Sequence, residues 1–365
     1  MKKVVIHAYT QFNLGDDLFI KILCDRYPET TFVLSAPMQY KERLKNISNL
    51  QIISNDSLIM RGFNYFIKKT GMNIRLTQLA PSKYDAIVLI GGSLFIQNDH
   101  WRKNLNQIKS FTTQRRPAFL LGANFGPFDD QTFYLEYKRH FQRYTDICFR
   151  DQYTYSLFKD LPQVRLASDI VFQLPKLTVA SNEREMVISV IKPSIREHLA
   201  NKDAIYYQKI KEIIIQFIEK DYTVTLMSFC KFEKDDEAVN TIANSLPINY
   251  IPKLKKYYYE GDIQEALEVI AKSSFVVATR FHAMILGWVY EKPVFPIVYS
   301  EKMKHVMDDI NFTGTYTDFD MLEKLEATEV FSSIKQNFID VTAQSENSKG
   351  HFNKLDEYLL NHKKG

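Results

Sequence analysis

Residues 86–93 read Ala-Ile-Val-Leu-Ile-Gly-Gly-Ser. Five consecutive apolar residues predict a strand buried on both faces, and the glycine pair ending it permits a sharp turn into a following helix. A strand is covered on both faces when helices pack on each side of its sheet, so this run predicts a parallel α/β sheet. The flanking sequence repeats the pattern. Val4-Val5-Ile6, Thr31–Ser35 and Leu50–Ser54 come before it, and Phe119-Leu120-Leu121 and Ile147-Cys148-Phe149 come after, with helix-like stretches between. The first helix is expected to begin near Asp16-Asp17.

The polar, proline-containing stretch Leu174–Arg184 interrupts this alternation. It then restarts with strands at Met186–Ile191, Tyr222–Met227, Phe275–Ala278 and Pro293–Val298, and helices at Ile205–Lys220, Asp235–Ala243 and Ile263–Ala271. A chain of 365 residues exceeds one ordinary core, which also argues for two domains. The expected organisation is an N-terminal α/β domain over 1–175, a C-terminal α/β domain over 176–345 and a helical tail over 346–365. Two doubly wound Rossmann-like domains facing a cleft is the glycosyltransferase-B-like arrangement.

The 47 Lys and Arg against 43 acids leave a net charge of +4, far below the excess of a dedicated nucleic-acid binder. That balance suits an anionic small substrate or a loose association with an acidic membrane surface. The three cysteines, Cys24, Cys148 and Cys230, are too scattered for a disulfide framework or a zinc site, so no metal is expected. The charged start lacks a long apolar stretch after it, and no run approaches the ~20 residues that span a bilayer. A cytoplasmic protein, at most peripheral at the inner membrane face, is expected.

In open α/β sheets ligands bind beyond the carboxyl ends of the strands, so the informative residues follow the apolar runs. Asn13-Leu14-Gly15-Asp16-Asp17 follows the first strand; Asp17 is expected to cap the next helix, Asp16 either does the same or holds sugar hydroxyls, and Asn13 is a second candidate for those hydroxyls. Gly91-Gly92-Ser93 is either a plain turn or a place where an anion approaches backbone N–H groups. Gly122-Ala123-Asn124-Phe125-Gly126-Pro127-Phe128 suggests a shaped loop with an aromatic platform for a sugar. Arg150 either grips a carboxylate or phosphate or pairs with Asp151 or another carboxylate. Arg280-Phe281-His282-Ala283 opens an apolar helix. A histidine in such company is often a core residue, but here it sits at a strand's carboxyl end two residues after an arginine, where it can exchange a proton. Lys302 in Tyr299-Ser300-Glu301-Lys302 either neutralises a phosphate or is a solvated lysine.

This ordered set resembles the polysaccharide pyruvyl transferase family. The resemblance rests on Asn13–Asp16, Gly91–Ser93, Gly122–Pro127, Arg150, Ser168-Asp169 with Phe172, Phe229 with Asp235-Asp236, Arg280-x-His282-Ala283 and Tyr299-x-x-Lys302, over roughly residues 3 to 310. Family members often carry a third glycine where this chain has Ser93. The resemblance implies a glycosyltransferase-B-like fold and transfer of the pyruvyl unit of phosphoenolpyruvate onto two hydroxyls of a sugar, closing a cyclic ketal. It implies His282 as general acid, with Arg150 and Lys302 binding the donor. Arg280 and Gly91–Ser93 are placed on the donor side as well, and Asn13, Asp16, Asn124 and Phe125 on the acceptor side. Phosphoenolpyruvate is then a co-substrate and no cofactor is expected. The partners are this donor and a saccharide acceptor, free or lipid-linked. A nucleotide-sugar glycosyltransferase of the same fold and a non-catalytic sugar-binding relative are the alternative readings.

Overall fold

The computed structural model describes residues 2–56, 84–112, 116–180 and 182–360. The chain divides into two compact units. Unit 1 is Met1–Thr10, Leu18–Ile170 and Glu346–Gly365, and unit 2 is Gln11–Asp17 and Val171–Ser345. Each holds one parallel sheet, the two-unit α/β construction of the glycosyltransferase-B class.

Unit 1 contains β1 (Lys3–His7), β2 (Thr31–Ala36), β3 (Leu50–Ser54), β4 (Ala86–Ile90), β5 (Ala118–Ala123), β6 (Asp146–Phe149) and β7 (Val164–Leu166). Their spatial order is β3-β2-β1-β4-β5-β6-β7, so the winding reverses between β1 and β4. Every residue of β4 is buried, as an apolar run in the middle of a covered sheet must be. One face of the sheet packs on an aromatic cluster built from Phe95, Phe125, Phe133, Tyr137, Phe141 and Phe158.

Unit 2 contains β8 (Glu185–Val190), β9 (Thr223–Ser228), β10 (Leu254–Tyr258), β11 (Phe275–Ala278), β12 (Val294–Val298) and β13 (Thr317–Asp318). The order β10-β9-β8-β11-β12-β13 puts its reversal between β8 and β11. The helix Phe281–Val289 follows β11 directly and is buried along almost its whole length, which explains why Met284-Ile285-Leu286 has no polar face.

Three points depart from the expected organisation. The boundary falls at Ile170/Val171, and the turn Gln11–Asp17 belongs to unit 2 because Leu14 N–H donates to Phe229 O at 3.1 Å and Asn13 bridges Cys230. The tail is part of unit 1 and not a separate element. Asp356 accepts from Arg26 at 2.5 and 3.0 Å and from the Tyr27 hydroxyl at 2.7 Å, and Arg165 donates to Gly350 O at 2.6 Å. The first helix begins at Leu14, two residues before the aspartates.

Candidate active site

The expected site residues gather in two groups, one in each unit at the carboxyl edge of its sheet. In unit 1, Arg150 follows β6 and is 3% exposed. Its Nη1 lies 2.9 Å from Asp169 Oδ2 and its Nη2 2.5 Å from Asn124 Oδ1. Asp151 is occupied elsewhere, capping the helix Gln152–Phe158 by accepting the Thr154 N–H at 2.7 Å. A Cβ on Gly92 would stand 2.4 Å from Arg150 Nη1 and 2.8 Å from Cζ, so the guanidinium in its observed place occupies the room that glycine leaves. The expectation that this glycine makes way for a ligand is therefore corrected: the group that uses the space is Arg150. Asn124 ties the arrangement to the turn, its N–H donating to Gly92 O at 2.9 Å and its Oδ1 accepting from Ser93 Oγ at 3.4 Å. Two loops and a strand end thus hold one arginine.

Phe125 is no sugar platform. It is 2% exposed and lies among Phe128, Phe133 and Phe158, with ring centroids 4.9 to 5.2 Å away. Its N–H is held by Thr154 Oγ1 at 3.0 Å, which turns the residue toward the aromatic core.

In unit 2 the turn Asn13–Asp17 stands beside His282. Asn13 Oδ1 accepts the Gly15 N–H at 3.0 Å, so asparagine provides a cap that had been expected of the aspartates. Asp17 is fully buried and receives the Tyr259 hydroxyl at 2.7 Å, while Asp16 is half-buried on the same turn. A Cβ on Gly15 would fall 1.7 Å from His282 Nδ1. The imidazole therefore rests against bare backbone, in the first turn of the helix Phe281–Val289.

Two residues earlier, Arg280 is committed within the protein. Its Nε donates to Asp235 Oδ2 at 2.9 Å, its Nη2 pairs with Asp235 Oδ1, and its Nη1 lies 2.8 Å from Glu233 Oε2. Asp235 also accepts the N–H groups of Phe229 and Cys230 at 3.0 and 2.9 Å. The backbone N–H of Arg280 donates to Ser189 Oγ at 3.1 Å. Expected as a donor ligand, Arg280 instead anchors the segment that carries His282.

Lys302 is the second residue of the helix Glu301–Asp309, with Nζ 5.6 Å from both the Phe281 and Tyr299 ring centroids. Arg196, which the sequence did not single out, stacks on Tyr299 with Cζ 4.5 Å from the ring centroid and donates to Glu233 Oε2 at 2.5 Å. Burial pushes the Glu233 carboxyl up, but Arg280 and Arg196 outweigh it and hold the group at about 2. Burial likewise raises the Tyr299 phenol, and Lys302, Arg196 and Arg280 reverse that to leave it below its ordinary value. The surroundings of Tyr299 are thus cationic.

Among the described residues no cluster of three or more His, Cys, Asp or Glu could hold a metal ion, and no helix is long and apolar enough to cross a membrane.

A family model for polysaccharide pyruvyl transferase matches residues 13–301, ending one residue before Lys302. The amylovoran biosynthesis protein AmsJ of Erwinia amylovora is 20% identical over 287 residues, covering 72% of this chain and 68% of AmsJ. Among solved structures, S. aureus MnaA with UDP aligns with a TM-score of 0.60 at 12% identity, over 98% of this chain and 97% of that one. HepE of Anabaena in complex with UDP and glucose gives 0.54 at 13% identity, over 97% and 100%. At such identities these two likenesses establish the fold.

Proposed function

Because this chain belongs to the polysaccharide pyruvyl transferase family, we propose that it moves the pyruvyl group of phosphoenolpyruvate onto two hydroxyls of one hexose in a surface-polysaccharide precursor. The product is a cyclic pyruvate ketal, and phosphate is released. The observation that supports this reading most is His282, held at the carboxyl end of β11 against Gly15 and beside the cations around Tyr299.

His282 as imidazolium gives its proton to the methylene carbon of the donor, which becomes a methyl group. The neighbouring carbon becomes cationic, and the first sugar hydroxyl attacks it. The carbon–oxygen bond to phosphate then breaks, and the second hydroxyl closes the ring. One hydroxyl proton replaces the one His282 gave, and the other leaves with phosphate. Lys302 offsets the charge that grows on the departing phosphate, an electrostatic role that dominates much of enzyme catalysis. Arg150, its fork held by Asp169 and Asn124 over the Gly91–Ser93 turn, is assigned to the donor side for its charge. Arg280 is a positioning residue in this scheme, and Asp16 and Asn124 are assigned to the acceptor. The reaction as written calls on no cofactor. We place it in the cytoplasm, on a saccharide that is free or lipid-linked, where the mild positive charge suits an acidic membrane surface.

The first experiment is a thermal-shift titration with phosphoenolpyruvate and a panel of nucleotide sugars. Selective stabilisation by phosphoenolpyruvate, together with a folded His282→Ala variant that releases no phosphate in the presence of hexosides, is the expected result. Stabilisation by a nucleotide sugar alone would move the protein to glycosyl transfer, the reaction class of the alternative reading.

A further inference from the structure

Of the two acceptors that hold the Arg150 fork, Asn124 is tied to the glycine turn, its N–H donating to Gly92 O at 2.9 Å. Asp169 has a different setting. It stands in the short connection between β7, which ends at Leu166, and the turn that begins at Ile170. The bonds of this connection to the sheet end where Ala167 N–H donates to Phe149 O at 3.0 Å, so Ser168 and Asp169 lie beyond them.

The C-terminal segment takes over at that point. Ser168 donates its N–H to Asn347 Oδ1 at 2.6 Å and its hydroxyl to the same oxygen at 3.1 Å. His351 Nε2 lies 2.9 Å from Ser168 O, and since a carbonyl oxygen only accepts, Nε2 carries the hydrogen. Each polar group of Ser168 is therefore held by residues 347–351. Arg165 secures that segment in turn. It donates to Gly350 O and His351 O at 2.6 and 3.2 Å while its Nε and Nη2 grip Asp146 of β6 at 2.7 and 2.8 Å.

Ser168 and Asp169 share one planar peptide unit, so fixing Ser168 O and N–H fixes the direction in which the Asp169 side chain leaves the backbone. His351, Asp169 and Arg150 are all buried, where a lost hydrogen bond leaves its partner unsatisfied. Burial also pushes the His351 imidazole down to about 4, so near neutral pH it supplies a fixed N–H donor and no charge. A tail that served packing alone would need only residues such as Phe352 and Leu355, both fully buried. Asn347 and His351 instead direct their polar atoms at the one residue that precedes Asp169.

We infer that Asn347 and His351 are positioning residues for Arg150: they set Ser168, Ser168 sets Asp169, and Asp169 with Asn124 sets where the guanidinium charge stands. Their effect on catalysis rests on the proposed assignment of Arg150 to the donor, whereas the placement of the guanidinium does not.

Two readouts on the full chain test this in Asn347→Ala, His351→Leu and His351→Gln, with Arg150→Ala as reference. One is the affinity for phosphoenolpyruvate by calorimetry. The other is the Arg150 Nε–H resonance in arginine-labelled protein, assigned by its loss in Arg150→Ala. Asn347→Ala and His351→Leu should move or broaden that resonance and weaken phosphoenolpyruvate by about threefold to tenfold, the worth of one hydrogen bond. His351→Gln should recover most of both effects, because its amide also presents an N–H donor. A tail that only stabilises the fold would lower the melting temperature and leave both readouts at their wild-type values, and that result in folded Asn347→Ala overturns the inference. Asn347 is exposed, so its variant decides even if His351→Leu does not fold. A moved resonance with unchanged affinity, where Arg150→Ala does lose affinity, overturns it as well. If Arg150→Ala binds phosphoenolpyruvate as wild type does, the donor assignment of Arg150 falls, and the resonance alone upholds or overturns the positioning.

Discussion

Gly15→Ala isolates His282, the proposed general acid, from the rest of the fold. The substituted residue lies in the first turn of the helix Leu14–Arg26, where alanine is a better helix former than glycine by up to about 1 kcal/mol. The new Cβ would, however, stand 1.7 Å from His282 Nδ1 and 2.5 Å from Cε1 and Cγ, where ordinary contact begins near 3.4 Å. The ring must therefore retreat by about 1.7 Å or turn away, because the backbone of Gly15 is held by Asn13 and by the Leu14–Phe229 hydrogen bond. A displacement of about 1 Å already costs a proton transfer on the order of a hundredfold. We expect kcat to fall at least that far while the melting temperature stays within a few degrees of wild type. The assay is phosphate release from phosphoenolpyruvate over a panel of nitrophenyl hexosides, with circular dichroism as the control for folding. Turnover within threefold of wild type in a folded variant would refute the reasoning, since it would mean that the observed seat of His282 does not matter. The double variant with His282→Ala should lose no more than His282→Ala alone.

Asp235→Ala should destabilise unit 2 by about 3–5 kcal/mol, because it strips Arg280 of its bidentate partner and leaves the Phe229 and Cys230 N–H groups unpaired; urea denaturation would read this. Acid should weaken unit 1 well before the carboxylates titrate. Burial pushes His140 and His351 down to about 4, each below an ordinary value near 6.5. Between those values the unfolded chain binds the extra protons, so the stability is fully present above about pH 6.5 and is lost as pH falls toward 4. Each histidine accounts for about 3 kcal/mol over that range, and His351→Gln should flatten roughly half of the slope in a pH series of denaturation midpoints.

The strands that the sequence revealed most plainly were those buried on both faces. Ala86–Ile90 and Phe275–Ala278 are unbroken apolar runs, and the structure buries every residue of each. The strand Leu254–Tyr258 escaped notice because its sequence, Leu-Lys-Lys-Tyr-Tyr, holds adjacent lysines and no run of aliphatic residues, as an edge strand paired on one side only allows. Val164–Leu166 and Thr317–Asp318 are too short to show a period. At the candidate site, Arg150, His282 and Lys302 each follow a strand, as their positions in the sequence imply. Their partners were not legible in the sequence. Arg280 and Asp235 are 45 positions apart and Arg196 and Glu233 are 37 apart, and nothing in local sequence announces such a pairing. Phe125 shows the opposite error. A residue between glycines looks presented to solvent, whereas its direction was decided by the Thr154 hydroxyl and by the aromatic residues of the helix Gln131–Phe141.

Gly15 and Gly92 were read as turn residues, and the close packing gives both the same further purpose. In each unit a glycine leaves room against the backbone for a side chain to which the proposed reaction gives a role: His282 at Gly15, and Arg150 at Gly92. A flexible side chain held this way loses rotamer freedom during folding and not during catalysis, which is where preorganisation reduces the barrier. The surrounding acceptor groups then set the orientation. Asp169 and Asn124 fix the plane of Arg150, while Asp235 and Glu233 fix Arg280 and with it the start of the helix that bears His282. A third glycine in place of Ser93 would remove the hydroxyl that donates to Asn124 and so loosen one support of Arg150. On this argument Ser93 substitutes a side-chain contact for the extra backbone freedom that family members often keep at that position.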